Sequence, residues 1–147
     1  MWPLIKFAHL ASAIVWMGGM AFMLYALRPA ISMLTPPQRL TLMVDVLRRF
    51  FTIVRIAIAV LAVTGLSMIL HIGMSRSPLG WHLMTGIGLL MFAVFGHLDA
   101  GPHRRLQRAV ADADWPTAAT QMKRIPLLAT INFVLGWIAI AAVRFVA

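Results

Sequence analysis

Four long apolar segments limit the possible folds of this chain more than any other feature of its sequence. They are Trp2–Leu27, Phe51–Ile72, Leu79–Leu98 and Ile125–Val146. Each has about 20 residues or more, the length that an α-helix needs to cross a hydrocarbon core of about 30 Å. The chain is 61% hydrophobic, above the roughly 45–50% of soluble domains. We therefore predict an all-α integral membrane protein, with residues 1–147 forming a single domain and a four-helix transmembrane bundle.

The distribution of basic residues predicts the orientation of this bundle. Of the 13 Lys and Arg residues, all but Lys6, Arg76 and Arg144 lie on or beside the first and third connections. Cytoplasmic flanks of membrane spans collect Lys and Arg, so both termini are predicted to face outward. The net charge of +9 is then explained by orientation and by contact with anionic lipid. The bilayer is therefore the predicted partner, and binding to nucleic acid is not expected.

The two cytoplasmic connections are predicted to contain short amphipathic helices. In the first, Thr35 is a candidate N-cap before Pro36, and apolar residues then recur at helical spacing at positions 40, 43, 44 and 47. This pattern predicts an interfacial helix that runs into the second span. In the third connection, breaks are expected at Gly101-Pro102 and near Trp115-Pro116.

Several enzyme classes are disfavoured by what the sequence lacks. There is no cysteine, so thiolate ligands and cysteine nucleophiles are excluded. There is no Glu, and the four Asp residues all lie at cytoplasmic positions, so no carboxylate pair is available inside the spans. Hydrolytic enzymes are therefore poor candidates.

Histidine and methionine are the residues that point to a specific chemistry. His9, His71 and His82 fall near the outer ends of three spans, and Met68, Met74 and Met84 fall at the same level. Imidazole binds haem iron, copper or zinc, and thioethers favour Cu(I). His71 and His82 are equally explained as interfacial residues in contact with water. His9 lies well inside a span, where ionisable groups usually have a function.

Two further polar residues have competing interpretations. His97, about 15 residues beyond His82, is most simply a hydrogen-bonded histidine packed inside the bundle. Arg144 returns to the outer level, where it would pair with a haem propionate or extend to the interface.

The first two spans resemble a known family. The segment "KFAHLASAIVWMGGMAFMLYALRPA" resembles the first helix of the copper-resistance protein D (CopD) family, with its His, its Trp-x-Gly-Gly element and its Arg-Pro exit. "RRFFTIVRIAIAVLAVTGL" is similar to the next helix of that family. "PLGWHLMTGIGLLMFAVFGHLDAGPHRRL" resembles both CopD and the HemJ-type protoporphyrinogen oxidases, but it lacks the Lys that is usual in this span.

The resemblance implies a multi-pass protein of the bacterial inner membrane, and it places the first-span histidine of both families at His9. The first hypothesis is a protein that binds haem b between His9 and His82, or His71, with a redox or electron-transfer role linked to quinone, porphyrin or copper. The second is copper binding or uptake without haem, through His71, Met74, His82 and Met84, with Met68 assisting. The third is a structural accessory subunit. A homodimer through a small-residue face is left open.

Overall fold

The structure, a computed structural model, describes residues 1–147 and consists almost entirely of helix. Four helical runs follow one another: α1 (Trp2–Met33), α2 (Pro36–Ile72), α3 (Leu79–Ala111) and α4 (Trp115–Phe145). All four are long enough and apolar enough to cross a membrane. The predicted all-α fold with four transmembrane helices is confirmed, and the chain is a multi-pass membrane protein.

The helices pack as two antiparallel hairpins. Helix α1 packs chiefly against α2, and α3 packs chiefly against α4. Since the chain crosses four times, its two ends lie at the same end of the bundle, here called the terminal end. The opposite end carries the first and third connections and is here called the basic end. Whether the terminal end faces outward, as the basic residues predict, stays a prediction.

All four helices extend beyond the apolar segments from which they were predicted. They contain 31 to 37 residues, or about 46–56 Å of helix, more than the hydrocarbon core requires. In α2 the amphipathic segment of the first connection is continuous with the membrane span. The backbone N–H of Thr35 donates to Oε1 of Gln38 at its start, and Leu40, Met43 and Leu47 are buried.

The predicted break at Gly101-Pro102 is wrong. Helix α3 passes through this dipeptide in a π-helical turn, Asp99–His103, and continues to Ala111. In an α-helix a proline removes one hydrogen bond and its ring clashes with the carbonyl four residues earlier. The wider π turn changes this register, so the helix accommodates the proline. The second predicted break is correct, since the chain turns at Asp112–Asp114 and α4 begins at Trp115.

The two halves of the bundle differ in how densely they are packed. Most of the 17 residues of the main hydrophobic core lie in the middle of the bundle or in its basic half, where side chains such as Leu40, Met43 and Leu106 are almost fully buried. In the terminal half, the space between the helices is only partly filled. This space forms a cavity with a volume of about 550 Å³.

Candidate metal-binding chamber

The cavity of the terminal half, here called the chamber, has a volume of about 550 Å³ and is lined by side chains from all four helices. It lies where α1 and α3 pack only loosely against one another. Its lining is mainly apolar, with Trp16, Trp81 and Phe92 among the walls. Its volume falls within the range of about 300–1,000 Å³ that is usual for small-molecule sites.

His9 is the imidazole of the chamber, and its ring is held by α2. Its Nδ1 lies 2.9 Å from Oγ1 of Thr64. Thr64 Oγ1 lies 2.6 Å from the carbonyl oxygen of Val60 and donates its single proton to it. The hydroxyl must therefore accept from His9, so the proton of the ring is on Nδ1. This leaves Nε2 of His9 with a free lone pair, and that atom is buried and has no hydrogen-bond partner.

Thioether side chains of α2, of α3 and of the loop between them line the chamber together with this imidazole. Met68 on α2, Met74 in the loop after it and Met84 on α3 all line the cavity, together with His9. The structure therefore brings four of the predicted ligands to one place. The ring of His9 packs close to the backbone of α2, since a Cβ at Gly65 would lie 3.4 Å from its Cε1, in van der Waals contact.

Two further methionines of the chamber, Met17 and Met91, were not predicted as site residues. Met91 follows Met84 by seven residues and therefore lies on the same face of α3, and Met17 follows His9 by eight residues on α1. This spacing was a usable signal, but methionine at helical spacing is also common core packing.

The other predicted site residues lie outside the chamber. His71 is exposed and packs against the ring of Trp2, with 4.5 Å between the ring centroids. His82 is half-buried and lines no part of the cavity. Arg144 is exposed, with its guanidinium 5.8 Å from the centroid of Phe145. No three His, Cys, Asp or Glu side chains come together anywhere in the protein.

Lys6 is the one cation among the residues that line the chamber. Its Nζ lies 5.3 Å from the centroid of the Trp2 ring, at the terminal end of α1. No carboxylate lines the cavity. The donor set is therefore neutral and soft, one imidazole nitrogen and several thioethers, which fits Cu(I) better than Mg²⁺, Ca²⁺ or other hard cations.

A second polar cluster, at the basic end, was missed by the sequence analysis. Arg55 donates from Nε and Nη2 to the two carboxylate oxygens of Asp99, at 2.9 and 2.7 Å. Nδ1 of His103 lies 3.1 Å from the same carboxylate, and its ring packs against Phe51 at a tilt of 60°, with 4.4 Å between the ring centroids. The spacing of Asp99 and His103, four residues apart, was visible, but the break expected at Pro102 placed them on separate elements.

His97 does not have the position predicted for it. Its side chain is exposed on α3 rather than packed inside the bundle. The spacing of His97 from His82 along the helix fixes neither the neighbours of α3 nor the face that they cover. His97 therefore contributes to neither polar site.

Fold and chamber together define a class: multi-pass helical membrane proteins with a cavity between the helices that is lined by one imidazole and several thioethers. The family model described as Copper resistance protein D matches residues 44–146 of this chain, well over half of it, and the chain belongs to that family. The family predicted from the first spans is thus confirmed. The matched region includes Thr64 and Met84 but begins after His9. No curated protein and no solved structure matches the chain.

Proposed function

We propose that this protein binds Cu(I) as its cargo in the chamber and passes or holds it within the bacterial cytoplasmic membrane. His9 supplies Nε2, and Met68, Met74 and Met84 supply thioethers. One observation carries the proposal: Nε2 of His9 is buried, holds a free lone pair and has no partner in the protein. Buried polar atoms nearly always have a partner, and a metal ion would be the missing one.

The chemistry of the ligands favours copper in its reduced state. Thioethers are soft ligands that select Cu(I), whereas Zn²⁺ sites normally use thiolate, imidazole or carboxylate groups. Thr64 has the role of an outer-shell partner, since it fixes the tautomer and the orientation of the ligand ring.

The charge of the site also favours Cu(I). The chamber contains no carboxylate to neutralise an ion, and its one charged lining residue is the cation Lys6. The energy of placing an ion in a medium of low polarity rises with the square of its charge, so a divalent ion would cost about four times as much as a monovalent one. A neutral ligand set inside a membrane is therefore suited to a monovalent metal ion.

The test is an anaerobic titration of the detergent-purified protein with Cu(I) in competition with a chromogenic chelator. His9→Ala removes the nitrogen ligand and is expected to weaken or abolish binding in the chamber. His82→Ala is the matched control, because His82 lies outside the cavity and the variant should bind as the wild type does. If His9→Ala binds Cu(I) with unchanged affinity, the proposal is wrong. A wild-type protein that binds no Cu(I) and stays folded would support the structural subunit instead.

Haem b is a second candidate, favoured by the size of the chamber. A cavity of about 550 Å³ exceeds the needs of one ion, and His/Met ligation of haem iron is an established pattern. His9 would be one axial ligand, a chamber methionine the other, and Lys6 would meet a propionate. Bound haem would supply one-electron chemistry, consistent with a role linked to quinone or porphyrin. The bis-histidine arrangement with His82 stays a prediction.

An optical spectrum separates the two candidates. Haem b in the purified protein, oxidised and then reduced with dithionite, would give a Soret band that shifts and sharp α and β bands, which His9→Ala would remove. A colourless protein that takes up no added haem but binds Cu(I) would exclude this candidate.

A further inference from the structure

The methionines of this protein are not spread through its core. Five of the 11 line the chamber, and four others line a second, smaller cavity towards the basic end. That second cavity, here called the thioether pocket, is formed by α1, α2 and α4, and its methionines are Met20, Met23, Met43 and Met122. Nine of the 11 methionines therefore line one or the other of these two cavities.

The dimensions of the thioether pocket suit a single ion. Its volume is about 30 Å³, enough for one water-sized occupant and far too small for a haem. Met20 and Met43 are almost fully buried, with 3% and 2% of their surfaces exposed. The other lining side chains are apolar except Arg28, which is exposed near the end of α1 and can extend its guanidinium to the interface. Sulfur is therefore the only side-chain donor in the pocket.

Two irregularities of the helices border the pocket. On α1 a π-helical turn, Met23–Leu27, begins at one of the lining methionines, and such turns are frequent at functional sites. On α4, Pro126 lies inside the helix and also lines the pocket. Because proline has no N–H, the carbonyl of Met122 lacks its usual intrahelical donor. A backbone oxygen is thus freed beside the sulfur of the same residue.

Helix α1 connects the two cavities. Met17 lines the chamber and Met20 lines the thioether pocket, three residues further along the helix. Side chains three apart on a helix are neighbours, with about 5–6 Å between their Cβ atoms. The thioethers thus form a series that begins near His9 in the terminal half and ends at Met43 and Met122 in the basic half.

We propose that the thioether pocket is a second Cu(I) site, bound by Met20, Met23, Met43 and Met122, to which the chamber delivers the ion through Met17. The identity of the ion rests on the proposed function. The assignment of the pocket as a metal site depends only on the four methionines that line it. In this arrangement copper keeps its oxidation state and moves by exchange of one thioether for the next.

The experiment counts Cu(I) ions in the full-length protein in detergent, without oxygen, by competition with a chromogenic chelator. The wild type is expected to bind two. The double variant Met43→Leu/Met122→Leu keeps apolar side chains of similar volume and is expected to bind one, with nitrogen still present in the copper X-ray absorption spectrum. Met33→Leu, at an exposed methionine outside both cavities, is the control and should bind two.

The outcomes separate this proposal from the previous one. If the double variant binds the same number of ions with the same affinity as the wild type, the pocket is not a copper site. If His9→Ala loses no copper while the double variant does, the proposal for the chamber fails and the pocket stands. Should the double variant not fold, Met23→Leu alone, at a half-buried position, gives the same comparison through its Cu(I) affinity, which should fall.

Discussion

Among single residues, the pair His9 and Thr64 sets the chemistry of the chamber. A histidine offers either of its ring nitrogens as a ligand, and the hydrogen bond to the other nitrogen decides which one is free. Here the threonine hydroxyl is committed to the Val60 carbonyl and accepts from Nδ1. In the proposed copper site Thr64 is a positioning residue, since it touches the ring of His9 and would not touch the ion.

The role of Thr64 predicts a difference between two conservative variants. Thr64→Val keeps the shape but removes the acceptor, so the ring loses its fixed tautomer, and affinity for Cu(I) should fall by about 10–100-fold. Thr64→Ser keeps the hydroxyl and should restore near wild-type affinity. Competition titrations of both variants measure this. Equal affinities for the two would show that the hydroxyl has no part in the site.

Two glycines in the part of α3 nearest the terminal end, Gly80 and Gly86, give a prediction about stability. A Cβ at Gly80 would overlap the backbone carbonyls of Ala142 on α4 and of Val146 directly after this helix, whereas a Cβ at Gly86 meets nothing within 4 Å. Gly80→Ala should therefore destabilise the bundle by about 1–3 kcal/mol. Gly86→Ala should be neutral or stabilising by up to about 1 kcal/mol, because alanine favours helix. Thermal unfolding of the two variants in detergent checks this, and similar midpoints would contradict it.

Among helical elements, the π turn of α3 links the two hairpins at the basic end. It carries Asp99 and His103, and Asp99 joins it to Arg55 of α2 by two charge-assisted hydrogen bonds. This is the main polar link between the two hairpins. The dense half of the bundle is thus held by both apolar packing and an ion pair.

This link predicts that two aspartates respond differently to the same change. Asp99→Asn weakens three polar contacts at a carboxylate that is only 20% exposed, and because Arg55 is half exposed the expected loss of stability is about 1–2 kcal/mol. Asp45→Asn affects only exposed pairs within α2, to Arg48 and Arg49, and should have no measurable effect. Urea or thermal unfolding of both variants tests this. Equal losses would show that the link between hairpins is unimportant.

The sequence predicted the elements better than it predicted their ends or neighbours. Length and hydropathy were sufficient for four spans, because a bilayer allows few alternatives. They underestimated α3, since charged residues such as Arg104 lower the hydropathy of a helix that nevertheless continues. The start of α2 was predicted from its N-cap and from the helical spacing of its apolar residues. Hydropathy also does not encode which helices touch. The placement of Thr64 beside His9, and of His82 outside the chamber, could not be obtained from it.

For the whole molecule, the orientation in the membrane is the property that decides the direction of any copper movement. Ten of the 13 basic residues lie towards the basic end, which the positive-inside rule assigns to the cytoplasm. Copper would then enter the chamber from outside and reach the thioether pocket on the cytoplasmic side. A homodimer remains a separate prediction that this arrangement does not require.

The orientation can be tested directly because the chain contains no cysteine. Ser75→Cys places an exposed thiol in the loop at the terminal end, and Ser32→Cys places one at the basic end. An impermeant maleimide added to intact spheroplasts should label Ser75→Cys at once and Ser32→Cys only after permeabilisation. The reverse pattern would overturn the predicted orientation and with it the direction of transfer.

The gathering of nine methionines around two cavities also makes the protein vulnerable to peroxide. Oxidation converts a flexible apolar thioether into a polar, chiral sulfoxide. In the chamber or the thioether pocket this change would replace a soft ligand by a harder oxygen and place a strong dipole among apolar walls. In the proposed function, oxidation of these methionines would weaken Cu(I) binding, and enzymatic reduction of the sulfoxides would restore it.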